Sequence, residues 1–368
     1  MKVVFDHQIF CIQHVGGISR YFSNLIQYIN TPHSGIAGEL LVKYTDNVYL
    51  KNTRPGIGSV PRWLSKNFIG KKFILERINR YYTNRWLKQN DFDVFFPTYY
   101  DTYFEGKINK PYVLTVHDMT HEYFPALFLK NRDFTLGKKR KAINHAAHLI
   151  AISENTKKDL LKFYDVPQDK ITVVHHGMEP TYTTQQVAGL PACYFLFVGE
   201  RGMYKNFEVV ARALGALQNS SVELICTGKP FAAAEMKLLN ECGLAARATA
   251  MQVTDAQLNF LYEKSAALVY PSLYEGFGYP LLEAMRANCP VISADSSCLP
   301  EVGGNAALYF NPNNAEELKN KMLQVLSLSE KDKAELVAKG RENLARFTMK
   351  ESMEKTIAIL KKVAAAKI

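Results

Sequence analysis

No uninterrupted apolar run in this chain approaches the roughly 18 residues needed to cross a bilayer, so no membrane-spanning helix is expected. The opening MKVVFDHQIF lacks the basic-then-apolar layout of a secretory signal and reads instead as a strand. Cys11, Cys193, Cys226, Cys242, Cys289 and Cys298 show neither close pairing nor metal-ligand spacing, which points to reduced thiols in a cytoplasmic protein. Low-complexity segments and short internal repeats are missing too. With 47% hydrophobic and 22% charged residues the chain is globular, and its 368 residues are too many for one compact core. The G-x-G-x-x-G fingerprint of dinucleotide enzymes is absent, and no acid follows at the ribose-binding distance. Asp91-Phe-Asp93 precedes an apolar run instead of ending one, and no partner acid follows, so no metal site is expected.

Acidic residues are scarce in one half only. Residues 1–180 carry 25 Lys+Arg against 16 Asp+Glu, and the remainder of the net +10 chain is near neutral. Much of the excess lies between Lys51 and Lys88. There Lys51, Arg54, Arg62, Lys66, Lys71, Lys72, Arg77, Arg80, Arg85 and Lys88 face a single acid, Glu76. Trp63, Phe68, Phe73, Ile74, Leu75, Ile78 and Trp86 are interleaved with them. Such a mixture suits an anionic membrane surface. It also matches an ordinary amphipathic helix with a solvated basic face. Nucleic acid is the weakest of the three readings and is not expected.

Short apolar runs alternate with helical patterns along the whole chain, which predicts α/β architecture with parallel sheets. Strands are expected at 2–5, 40–43, 94–97, 112–116, 149–152 and 171–174, and again at 194–198, 222–227, 248–253, 267–270, 291–293 and 307–310. The polar, Pro- and Gly-bearing EPTYTTQQVAGLPA between the two sets reads as a linker. The expected domains are residues 1–180 and 193–348, with 181–192 as the linker and 349–368 as a C-terminal helix packing back on the first domain. Two doubly wound halves would face each other across a cleft at their strand C-termini.

Pro271 to Met285, PSLYEGFGYPLLEAM, reads as the end of a strand, a glycine-bearing loop and a helix with Pro280 in its first turn. Loop amides and a helix N-terminus favour an anion. Glu275 before the helix and Glu283 in its opening turn supply hydroxyl acceptors, which suits a sugar nucleotide. The string resembles the E-x7-E signature of retaining glycosyltransferases, especially glycosyltransferase family 4. Phe197-Val-Gly-Glu-Arg-Gly-Met-Tyr-Lys-Asn206 resembles the family's G-x-R-x-x-x-K-[GN] element, with Asn206 as a helix cap. Val15-Gly-Gly-Ile-Ser-Arg-Tyr21 resembles its GG-[ILV]-x-R-[YF] loop, and Tyr112-Val-Leu-Thr-Val-His-Asp118 ends in its HD pair. Ser296-Ser-Cys-Leu-Pro-Glu-Val302 resembles a further segment, from which Cys298 departs, apart from the expected chemistry. The likeness runs from Gly16 to Phe310.

The resemblance implies a GT-B fold of two Rossmann-like domains. It also implies metal-independent transfer of a hexose with retention, and no cofactor beyond the nucleotide-diphosphate sugar as donor substrate. GDP-mannose is the expected donor, with a UDP-sugar close behind. The acceptor would be a glycan or lipid-linked saccharide in polysaccharide or lipopolysaccharide synthesis, at the inner face of the cell membrane. His117, Arg201, Lys205 and Glu275 are the expected catalytic residues. Gly16, Gly17, Gly199, Arg201, Lys205, Glu275, Gly276, Phe277, Gly278 and Glu283 are expected to hold the donor. The alternatives are a non-catalytic sugar-nucleotide or glycan-binding protein on the same scaffold, or an NAD(P)-dependent oxidoreductase, which should show the fuller glycine fingerprint and a ribose-binding acid.

Overall fold

The computed structural model describes residues 1–50, 58–60, 70–89, 91–128, 132–217 and 221–366. Lys51, Arg54, Arg62, Trp63, Lys66 and Phe68 of the basic stretch lie outside them. The chain forms two compact units, Met1–His176 with Lys350–Ile368, and Gly177–Met349.

In the first unit β1 (Lys2–Phe5) pairs in parallel with β2 (Ala37–Leu40) on one side. Two-residue strands β3 (Tyr44–Thr45) and β4 (Gly58–Ser59) pair with each other. On its other side β1 pairs with β5 (Val94–Phe96). A second parallel set runs β6 (Val113–Val116), β7 (His148–Ala151), β8 (Ile171–Val173). A parallel bridge between Phe95 and Tyr112 joins the two sets, giving the order β2-β1-β5-β6-β7-β8. The expected strand at 40–43 falls three residues earlier: beyond Leu41, whose amide still donates to the Phe5 carbonyl at 2.8 Å, the chain turns to meet the helix Lys71–Leu87. There Asn79 Oδ1 accepts the Lys43 and Tyr44 amides at 2.7 and 3.1 Å.

The second unit is one six-stranded parallel sheet. Its strands are β9 (Tyr194–Phe197), β10 (Glu223–Thr227), β11 (Ala248–Met251), β12 (Ala267–Tyr270), β13 (Val291–Ala294) and β14 (Ala307–Phe310), in the order β11-β10-β9-β12-β13-β14. Every residue of β9, β12 and β13 is buried, which is why these strands read as continuous apolar runs without alternation. In each unit the strand order reverses once, beside β1 and β5 and beside β9 and β12. Diverging loops leave a crevice at such a switch point.

The tail helix, Met349–Ala365, buries Met353, Ile357, Leu360 and Val363 at helical spacing and belongs to the first unit. Lys361 Nζ donates to the Ser34 carbonyl there at 2.9 Å. Ser153 caps the helix Glu154–Phe163 by accepting the Thr156 amide at 3.0 Å.

Candidate functional site

The loop after β9 and the loop after β12 flank the switch point of the second unit. Gly199 leaves β9 at φ +118°, a backbone region that glycine enters freely, and its amide donates to Thr227 Oγ1 at 3.2 Å. A single turn, Met203–Lys205, then leads into the helix Phe207–Gly215. Asn206 stands at the N-cap of that helix but does not cap it with its side chain, contrary to expectation. Its left-handed backbone (φ 55°) sends the amide nitrogen to the Pro271 carbonyl at 3.2 Å and the Pro312 carbonyl at 2.7 Å. The Leu273 amide also donates to the Tyr204 carbonyl at 2.7 Å, so the two loops are fastened together.

That fastening brings Lys205 and Glu275 into contact. Lys205 Nζ lies 2.5 Å from Glu275 Oε1 and 3.3 Å from Tyr270 Oη, and Tyr270 donates to the same carboxylate oxygen at 2.7 Å. Burial opposes the lysine's charge, yet the Glu275 carboxylate beside it holds its pKa above the ordinary value. Burial and then Glu275 push the Tyr270 phenol well up, so it stays a donor. The result is a partly closed cation, carboxylate and hydroxyl within one hydrogen-bonded group. Tyr270 was missed in the sequence because an aromatic ending an apolar strand carries no chemical signal.

Arg201 is differently committed. Its guanidinium meets Glu235 at 2.9 and 3.3 Å, the Lys229 carbonyl at 2.6 Å and the Pro230 carbonyl at 3.2 Å, and it lies over the Phe231 ring. Glu235 also accepts the Ala232 amide at 2.7 Å, at the start of the helix Ala233–Glu241. Arg201 therefore forms a wall of a depression of about 640 Å³ at the ends of β9, β10 and β11, lined among others by Gly199, Thr227, Gln252 and Val253.

Glu283 lies in the helix Tyr279–Arg286, beyond its first turn and not within it as expected. Its Oε2 accepts the Tyr262 hydroxyl at 3.0 Å. Gly278 opens this helix at φ +105°, where a Cβ would come within 2.9 Å of Leu299. Phe277 is buried against Tyr279 and Phe347, so it builds the loop from beneath. Gly276 lies between Glu275 and Phe277 in the same loop.

In the first unit His117 directly follows β6 with 5% of its surface exposed, and neither ring nitrogen has a hydrogen-bond partner. Tyr21, Phe22 and His176 surround the ring at 6.0 to 6.1 Å between centroids. Burial, and then the charge of Lys139, lower its pKa to about 3, so the imidazole is neutral. Asp118 is structural: its Oδ1 accepts the Thr120 amide at 3.1 Å and its carbonyl accepts Lys139 Nζ at 2.6 Å.

Gly16 and Gly17 differ in why they are glycine. A Cβ on Gly16 would sit 2.5 Å from Gln13 Oε1, which itself accepts the Ser19 amide in the first turn of the helix Gly17–Ile29. A Cβ on Gly17 would meet nothing within 4 Å, so open space lies over that helix start. Asp6, just past β1, is fully buried and was not singled out in the sequence. It accepts Thr98 N–H at 2.9 Å, Thr98 Oγ1 at 2.7 Å and the Tyr103 hydroxyl at 3.1 Å, which ties the loops after β1 and β5 together.

Asp91 and Asp93 are spent on Lys2, through Nζ at 3.3 Å and the backbone amide at 2.7 Å. Among the described residues no three His, Cys, Asp or Glu side chains form a metal-ligand group. No described helix is long and apolar enough to cross a membrane.

Parallel doubly wound units of this kind define a GT-B fold, and solved structures agree. Sucrose-phosphate synthase from Thermosynechococcus elongatus superposes at a TM-score of 0.77 over 100% of this chain and 99% of its own, at 16% identity. HepE from Anabaena, solved with UDP and glucose, gives 0.74 over 98% and 100% at 15% identity. Residues 15–182 match the model of Glycosyltransferase Family 4, and residues 185–343 match that of Glycosyl transferases group 1. The chain belongs to glycosyltransferase family 4. It is 31% identical over 203 residues, 55% of its length, to the O-antigen chain mannosyltransferase RfbU of Salmonella typhimurium, and that match spans 57% of RfbU. With O-antigen chain mannosyltransferase B of Escherichia coli it shares 27% over 267 residues, 67% of this chain and 68% of the relative.

Proposed function

We propose that the chain is a retaining, metal-independent hexosyltransferase. It takes a hexose from a nucleotide-diphosphate sugar and passes it to a glycan or lipid-linked acceptor in cell-surface polysaccharide synthesis. The observation that carries this is the Lys205–Glu275–Tyr270 group at the switch point, an ammonium and a carboxylate side by side where a diphosphate joined to a sugar needs both. GDP-mannose is the donor we favour, because relatives across more than half of the chain are named as mannosyltransferases.

In this reading the bond from the anomeric carbon to the diphosphate oxygen breaks, and the departing diphosphate gains negative charge. Lys205 stabilises that charge as it grows, and a positive charge aimed at such an oxygen counts most in the transition state. Glu275 takes sugar hydroxyls and Glu283 the ribose. Arg201 walls the nucleotide pocket and adds its charge beside the diphosphate. Gly199, Gly276, Phe277 and Gly278 shape the loops that receive the donor. Gly17 leaves its helix start open to a phosphate or the acceptor, with Gly16 before it fitted against Gln13, and neutral His117 offers its unpartnered ring nitrogens to a sugar hydroxyl. The acceptor hydroxyl attacks from the face the diphosphate leaves, and its proton passes to a diphosphate oxygen.

Calorimetry with GDP, UDP and ADP identifies the nucleotide, and NMR of the anomeric proton in the product reads the stereochemistry. Inversion, or activity abolished by EDTA, would overturn the mechanism. Nucleoside diphosphate binding with no transfer to any saccharide acceptor would favour a binding protein.

A further inference from the structure

Residues 296 to 298 follow β13, which lies beside β12 in register, with Tyr270 opposite Ser293. By residue type Ser-Ser-Cys carries no chemistry that the proposed transfer needs. Each of the three is nevertheless bonded to the backbone of the Glu275 loop. Ser296 Oγ donates to the Ser272 carbonyl at 2.6 Å. Ser297 Oγ accepts the Glu275 amide at 3.0 Å. The Cys298 thiol, fully buried, points at two carbonyls, Glu275 at 3.2 Å and Phe277 at 3.1 Å.

Ser297 reaches its partner from a left-handed backbone at φ +47°, a conformation that costs a non-glycine residue free energy. Among the described non-glycine residues only Asn206 and Asn288 share a positive φ, and Asn206 fastens the same loop from the other side. A glutamate on an unbraced loop would spread over many orientations. Here its own N–H and its own C=O are both held, which fixes the direction in which its side chain leaves the backbone.

We infer that Ser297 and Cys298 are positioning residues, which aim the Glu275 carboxylate at the donor sugar by holding the peptide groups on either side of it. This rests on the proposed role of Glu275 as a ligand of that sugar. A preset side chain binds more tightly because less freedom is lost on binding. The thiol suits the task because burial, and then the nearby Glu275 charge, keep it protonated and therefore a donor. Serine preserves a donor at position 298; valine fills the space and has none.

The test is calorimetry on the full chain with GDP and GDP-mannose, and in parallel with UDP and UDP-glucose, reading the ratio of the two dissociation constants for the better nucleotide. Glu275→Gln should shift that ratio against the sugar conjugate by about 10-fold, the scale of one charge-assisted hydrogen bond. Cys298→Val and Ser297→Ala should shift it the same way, by roughly 5-fold, with nucleoside diphosphate affinity within about twofold of wild type. Cys298→Ser should restore it. An unchanged ratio in folded Cys298→Val and Ser297→Ala, with the shift present in Glu275→Gln, overturns the positioning role alone. An equal loss for nucleoside diphosphate and conjugate does so too, because it marks general damage. An unchanged ratio in Glu275→Gln overturns the sugar-binding reading of Glu275 itself. Should Cys298→Val fail to fold, Ser297→Ala gives the answer by itself.

Discussion

Lys205 and Glu275 neutralise each other before any ligand arrives, and that governs how their removal reads. Lys205→Ala leaves the Glu275 carboxylate with the Tyr270 hydroxyl as its remaining side-chain partner, with only 14% of its side chain exposed. Stability should fall by about 1–3 kcal/mol, measured by urea unfolding. The double variant with Glu275→Ala should lose clearly less than the two single losses added together. Strict additivity would mean that the pair is not coupled. His117 gives a prediction in pH. Its pKa is lowered to about 3 from an ordinary 6.5, so the unfolded chain binds the proton more readily between those values. Its contribution to stability is therefore full above pH 6.5 and is lost as pH falls towards 3, at up to about 1.4 kcal/mol per pH unit. His7, lowered to about 4 chiefly by burial, acts in the same direction. Melting curves at several pH values should show His117→Phe with a shallower acid decline than wild type, and parallel declines would refute the assignment.

At the scale of the element, the helix Gly17–Ile29 separates two glycines that look equivalent on paper. Gly16→Ala must displace the Gln13 side chain, freeing the Ser19 amide, so a loss on the order of 1 kcal/mol is expected, as for a lost helix cap. Gly17→Ala enters open space at a permitted φ and should leave the melting temperature unchanged. If a ligand approaches that helix start, Gly17→Ala will lower transfer without lowering stability. Full activity in a stable Gly17→Ala protein would remove this loop from the donor or acceptor site. The glycine pair itself was legible in sequence. Which glycine answers to the protein's own packing and which to open space depends on where Gln13 folds back.

For the whole molecule, the basic stretch is partly spent within the fold. Lys71 pairs with Asp46 at 3.0 Å, and Arg80 pairs with Glu76 and Asp101 at 2.7 and 2.6 Å. The same helix leaves Phe73 62% and Tyr81 69% exposed, with Arg77 over the Phe73 ring. Our reading is that this face rests on an anionic membrane where lipid-linked acceptors are found. Basic residues near such a surface contribute on the order of 1 kcal/mol each, and salt screens them. Co-sedimentation with liposomes should rise with anionic lipid and fall with salt. Arg77→Gln should weaken it in a salt-dependent way, and Phe73→Ala should weaken it with little regard to salt. Wild type that ignores anionic vesicles at low salt would leave an exposed face with no membrane role.

The sequence by itself determined the α/β class and the strands of both sheets to within a few residues. Apolar runs such as 194–197 and 267–270 are buried on both faces and have few alternatives to a parallel sheet. It also marked the motif loops, because glycine, proline and charged residues at strand ends are informative by type. The partners of those residues were decided only in three dimensions. Lys205 meets a glutamate 70 positions away, and Arg201 is held by Glu235 from the helix that follows the next strand. Asn206 ties loops where local reading expects a cap. Cys298, to all appearance a bystander, grips the backbone of Glu275. Side-chain type is local information, whereas hydrogen-bond geometry is set by which strands become neighbours, and that is fixed by burying the whole sheet at once.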